Sequence, residues 1–134
     1  MKTSKIIYQG NLRTEATHLR SGQTIITDAP IDNNGKGEAF SPTDLMATSL
    51  GSCMLTIMGI AAEKYLINIE GTTLEITKIM ASDPRRVSEI IVEFSMPQRN
   101  FTDREKKILE NAAYTCPVAK SLDKELKQTV VFNY

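Results

Sequence analysis

Two cysteines, Cys53 and Cys116, and one arginine, Arg20, are the residues whose types and positions suggest chemistry in this 134-residue chain. A thiolate is a nucleophile, whereas a protonated cysteine packs as a small hydrophobe. Cys53 lies within SPTDLMATSLGSCMLTIMGIAAEKY, Ser41 to Tyr65, which carries no charge between Asp44 and Glu63. Taken alone, a cysteine in such a stretch reads as core filler. Cys116 directly precedes Pro117, and a thiol at a helix start meets unpaired backbone N–H groups and the positive end of the macrodipole, both of which favour thiolate. The pair allows more than either member: one thiol is oxidised to a sulfenic acid and the other condenses with it to a disulfide. With His18 the only histidine, two cysteines make a poor metal set, and they are too few for a secreted disulfide scaffold. Redox chemistry without a bound metal or cofactor is therefore the first reading of the thiols. Arg20, in HLRSG, is by default a solvated charge, and His18 and the six methionines read as a polar strand residue and core filler.

The elements that must position these groups follow from caps and periodicity. Ser41 suits a helix N-cap, Pro42 the first helical position, and Asp44 completes an S-x-x-D capping box that also favours the positive helix end. Leu45, Met46, Leu50, Cys53, Met54, Ile57, Met58, Ile60 and Ala61 then cover most of the helical circumference, so the helix is expected to be buried nearly all round, in a core or an interface. At 1.5 Å per residue it runs about 33 Å, with Cys53 near its middle. Before it, Ser4 to Thr17 reads as one long or two shorter strands, residues 18 to 22 as a turn with Arg20 at its tip, and Gln23 to Asp28 as a returning strand. Residues 29 to 41 form a glycine- and Asx-bearing loop.

After the helix, alternation over Asn68 to Ala81 and Val87 to Met96 predicts two half-buried strands joined at Ser82, Asp83 and Pro84. T-D-R-E from Thr102 is a second capping box, opening an amphipathic helix through Ile108, Leu109, Ala112 and Ala113. A further helix is expected to begin at Pro117 and run through Val118, Leu122 and Leu126, with 129 to 133 as a last strand. The whole is one α+β domain over residues 1–134, a long buried central helix packed on an antiparallel sheet. Sixteen basic and sixteen acidic residues cancel, with a pI near 6.6, so no global field recruits nucleic acid or an anionic membrane. The N-terminal apolar run is too short for a signal peptide, and no stretch is read as a membrane span, so a cytoplasmic location is expected.

These residues resemble the osmotically inducible protein C and organic hydroperoxide resistance family (OsmC/Ohr). The segment SPTDLMATSLGSC is similar to that family's long helix, which opens with a proline and reaches the reactive cysteine eleven residues later, here Pro42 and Cys53; TCPVAKSL, Thr115 to Leu122, resembles the segment with its second cysteine. The order of elements also matches over almost the whole chain. The resemblance implies Cys53 as peroxidatic thiol, Cys116 as resolving thiol, and Arg20 as the guanidinium that holds the first as thiolate and orients the peroxide. It further implies an intertwined homodimer, a small organic hydroperoxide substrate and an external dithiol reductant, with Met46, Leu50 and Met54 in the apolar lining. Where well-defined peroxidases of the family place a glutamate after the helix-opening proline, this sequence has Thr43. Asp44 and Glu38 are the candidate replacements. Two rival readings stand beside the peroxidase: a non-enzymatic protein that binds a small apolar ligand or senses redox state, and a structural dimer with inert thiols.

Overall fold

The computed structural model describes residues 1–134, which divide into two compact units, Met1–Met46 and Ala47–Tyr134. In the first, β1 (Ser4–Gly10), β2 (Arg13–His18) and β3 (Thr24–Asp28) form an antiparallel sheet in that order. The N-terminal run is thus two strands, turned at Asn11 and Leu12, which both take positive φ as a tight hairpin requires. The second hairpin keeps its register from Thr17↔Thr24 to Arg13↔Asp28, with residues 19–23 as its loop. Residues 29 to 41 contain one short 3-10 turn, Ile31–Asn33, and fold back on themselves through Gly35 N–H to Pro30 O and Gly37 N–H to Ala29 O. Gly35 is obligatory there, because a Cβ would sit 1.7 Å from the Ala29 carbonyl oxygen.

Helix α1 (Pro42–Lys64) starts in the first unit and continues through the second, which holds β4 (Thr73–Ala81), β5 (Arg86–Ser95), α2 (Asp103–Ala113), α3 (Pro117–Ser121) and β6 (Lys127–Asn133). The Ser41 hydroxyl accepts from Asp44 N–H at 3.0 Å and an Asp44 carboxylate oxygen accepts from Ser41 N–H at 3.0 Å, a reciprocal cap as expected. Within the single chain, burial of the helix is one-sided. Only Ala47, Leu50, Gly51, Met54, Met58 and Ala62 are buried, one stripe at three- and four-residue spacing, while Ile60 is 60 % exposed. A single sheet covers one face of a helix and leaves the others to solvent or to another chain. The 23-residue helix is long and apolar enough to cross a membrane on length and composition, which the sequence reading overlooked.

The second sheet is mixed rather than antiparallel. β4 pairs with β5 antiparallel, but β6 pairs with β5 in parallel from Glu89↔Lys127 to Ser95↔Asn133. The chain between β5 and β6 carries α2 and α3, a crossover rather than a hairpin, so the returning strand arrives in the same direction. β5 lies in the centre and sends Ile90, Val92 and Phe94 fully into the core with Leu50, Met54, Met58 and Leu109. Gly51 allows the close approach of α1: a Cβ would fall 2.7 Å from Ile76 Cδ1 and 2.8 Å from Leu74 Cδ1. The Thr102 capping box of α2 is complete, with Thr102 Oγ1 accepting from Glu105 N–H and Glu105 Oε1 accepting from Thr102 N–H. The last helix is shorter than expected. α3 ends at Ser121, Leu122 is extended, and Leu126 belongs to a turn in which Asp123 accepts from the N–H groups of Glu125 and Leu126 before β6 begins.

A candidate thiol pair in the second unit

Proline chemistry places Cys116. The residue before a proline is pushed out of the helical region, and Cys116 has φ −62° and ψ 138°, so α2 cannot run on and the thiol stands at the N-cap of α3. The approach is tied down by Thr115 N–H to Ala112 O at 3.0 Å and Cys116 N–H to Ala113 O at 3.3 Å. In that position Cys116 Sγ accepts a hydrogen bond from Ala119 N–H at 3.2 Å. Its side chain is fully buried.

Cys53 flanks the buried stripe of α1, between fully buried Leu50 and Met54, and is itself only half-buried. Its thiol is near enough to that of Cys116 to influence its ionisation, so the two sulfurs brought into one neighbourhood are those the sequence singled out, and both are reduced. Burial pushes the Cys116 thiol above its ordinary range; the N–H groups of Ala119 and Val118 pull the other way, and the neighbouring Cys53 adds to the rise. Cys116 therefore rests as a protonated thiol, and Cys53 is the sulfur with an exposed side. Leu50 and Met54 are fully buried and so do not line an open pocket, contrary to the expected apolar lining. An open cleft of about 720 Å³ lies elsewhere in this unit, between Leu55, Gly59 and Ala62 of α1 and the segment from Leu66 to Thr72.

The remaining candidates belong to the first unit. Arg20 is exposed in the loop joining β2 and β3, beside His18, whose Nδ1 shares a hydrogen bond with Ser21 Oγ at 2.6 Å. Asp44 caps α1, and the Thr43 hydroxyl lies 3.2 Å from that of Ser41. Glu38 is committed to an arginine that sequence reasoning passed over. Arg13 donates from Nε to Asp28 Oδ1 at 2.7 Å and from Nη2 to Asp28 Oδ2 at 2.8 Å and Glu38 Oε1 at 3.2 Å, while Glu38 N–H donates to Asp28 Oδ2 at 3.1 Å. Those bonds hold the Asp28 carboxyl below the usual carboxylate range, first through the hydrogen bonds from Arg13. The signal was available in the hairpin register, because a turn centred between Arg20 and Ser21 sets Arg13 opposite Asp28. The cluster pins both ends of the loop that leads into α1.

The model for OsmC-like protein matches residues 35–131. A Psychrobacter arcticus structure, provisionally named as an osmotic stress induced and detoxification response protein, is 58% identical with a TM-score of 0.95, covering 99% of this chain and 96% of that one. At 12% identity and a TM-score of 0.75, an organic hydroperoxide resistance protein OsmC from Legionella pneumophila covers 100% of this chain and 98% of its own. A Vibrio cholerae protein provisionally named for organic hydroperoxide resistance, with captopril bound in one active site, is also 12% identical with a TM-score of 0.75, covering 99% and 92%. The last two establish likeness of fold. No curated protein matches the chain.

Proposed function

The chain belongs to the OsmC-like protein family, and from that membership we propose that it is a thiol-dependent peroxidase acting on small organic hydroperoxides. The observation that carries the reading is that a half-buried Cys53 and a fully buried Cys116 are neighbours. Cys53, as thiolate, attacks the outer oxygen of the hydroperoxide; the O–O bond breaks, the alcohol leaves with a proton, and Cys53 becomes a sulfenic acid. Cys116 then attacks the Cys53 sulfur, the S–O bond breaks, water leaves and a disulfide remains. An external dithiol restores both thiols by exchange. Arg20 is assigned the expected role of a counter-charge that favours the thiolate, so Arg20→Met slows oxidation of Cys53.

A homodimer is part of the same reading. In the sheet of the first unit, Ile6, Tyr8 and Ile25 on one face are 64 %, 63 % and 48 % exposed, and Ile7 and Ile26 on the other are 50 % and 38 % exposed. Apolar side chains exposed on both faces of one sheet point to cover by another chain. The reaction is tested by intact mass and thiol counting on the reduced protein, seconds after one equivalent of cumene hydroperoxide or hydrogen peroxide. Loss of two thiols and two mass units, faster with the organic peroxide, is the expected result; two thiols still free after minutes would refute the peroxidase.

A second reading is favoured by the open cleft between α1 and the Leu66–Thr72 segment, whose lining includes Leu55, Ile67 and Ile69. In it the protein binds a small apolar ligand without turnover. A rise in melting temperature across a fatty-acid panel, with both thiols unreacted towards peroxide, would support this reading over the first.

A further inference from the structure

Helix α3 has five residues, far too few to hold a helical shape by its own hydrogen bonds. Its position must therefore come from outside, and the side-chain hydrogen bonds that reach it from outside meet at one residue. Ala119 donates its N–H to Cys116 Sγ at 3.2 Å, and its carbonyl oxygen accepts from Gln128 Nε2 at 3.0 Å. Gln128 stands on β6, in register with Ile90 of the central strand β5, which is fully buried. Ala119, whose N–H touches the Cys116 sulfur, is thus anchored through Gln128 to the strand that pairs with the buried centre of the second sheet. Cys116 in turn neighbours Cys53.

We propose that Gln128 is a positioning residue for disulfide formation, holding α3 so that the Ala119 N–H stays on the Cys116 sulfur while Cys116 attacks an oxidised Cys53. This rests on the peroxidase reading for its oxidant, an organic hydroperoxide. In the step concerned, Cys116 gives up its proton and attacks the sulfur of the Cys53 sulfenic acid; the S–S bond forms, the S–O bond breaks, and hydroxide leaves to take up a proton as water. A hydrogen bond to sulfur favours the charged attacker, and it is worth most where burial has removed water. The first oxidation, of Cys53 by peroxide, makes no use of α3. The role of Gln128 therefore falls on the second step alone.

The test is Gln128→Met, which keeps the side-chain length and removes the donor. Cys53 sulfenic acid, trapped with dimedone, is expected at the parental rate, whereas the disulfide forms about three- to tenfold more slowly, as loss of one neutral hydrogen bond implies. Exchange of the Ala119 amide with deuterium is expected to accelerate, and the pH profile of disulfide formation to move upward. A general loss of structure would instead slow both steps together and lower the melting temperature in proportion, and that result overturns the proposal. So does an unchanged disulfide rate in a folded variant. If the parent protein forms no sulfenic acid, the peroxidase reading fails separately, and unaltered Ala119 exchange in Gln128→Met would then overturn the positioning role.

Discussion

A thiol serves as a nucleophile only when it is both reachable and ionised, and Cys53 and Cys116 divide these properties unequally. Cys53 is half-buried beside a buried stripe; Cys116 is fully buried at a helix cap, with its ionisation opposed by burial and aided by two backbone N–H groups. Because the Cys116 pKa is raised, little of it is thiolate at neutral pH. Conversion of sulfenic acid to disulfide is thus expected to accelerate as pH rises, about tenfold per unit, and to keep rising beyond the ordinary thiol pKa of about 8.5. A stopped-flow series monitoring disulfide formation checks this, and a plateau already at pH 7 would contradict it. Asp28 gives a prediction of opposite sign. Its pKa is lowered by Arg13, so the stability it contributes is present above the unfolded value of about 3.9 and is lost as pH falls through the lower folded value. Asp28→Asn should therefore lower the melting temperature at pH 7, with the gap from the parent closing in melts below about pH 4.

At the scale of elements, the decisive contact is that of α1 with the sheet beneath it. Gly51 sits where any side chain would press on Leu74 and Ile76. Gly51→Ala gains about 1 kcal/mol of helix propensity but adds overpacking of about 1–3 kcal/mol, so a net loss of about 1 kcal/mol is expected in urea denaturation. An increase in stability would mean that α1 does not approach the sheet this closely. The element that carries Cys116 is ordered differently: α3 is held by a cap, by Gln128 and by the proline that forced the chain out of α2.

For the molecule as a whole, the exposed faces of β1 and β3 are the feature that a single chain leaves unsatisfied. Sedimentation is expected to find a dimer, and Ile6→Lys combined with Ile25→Lys to shift it toward monomer while far-ultraviolet circular dichroism is retained. A parent protein that sediments as a monomer at tens of micromolar would refute the dimer. Most elements were legible from local signals because their causes are local. The capping boxes at Ser41 and Thr102 mark helix starts, and the Ser-Gly turn and alternating residues mark the hairpins. The parallel placement of β6 and the early end of α3 were misread. Each depends on what lies across from the segment, and periodicity within a segment carries no record of its neighbour.

The candidate site divides in the same way. Sequence by itself determined that Cys116 would leave the helix and cap the next one, because Pro117 restricts the residue before it whatever the surroundings. It also set Asp44 as the cap of α1, since side-chain and backbone groups three residues apart meet at any helix start. Tertiary structure alone decided that Cys53 lies beside Cys116, that Glu38 joins the Arg13–Asp28 pair, and that Gln128 reaches Ala119. Those contacts join separate elements, and within each unit their geometry exists only once those elements have packed together.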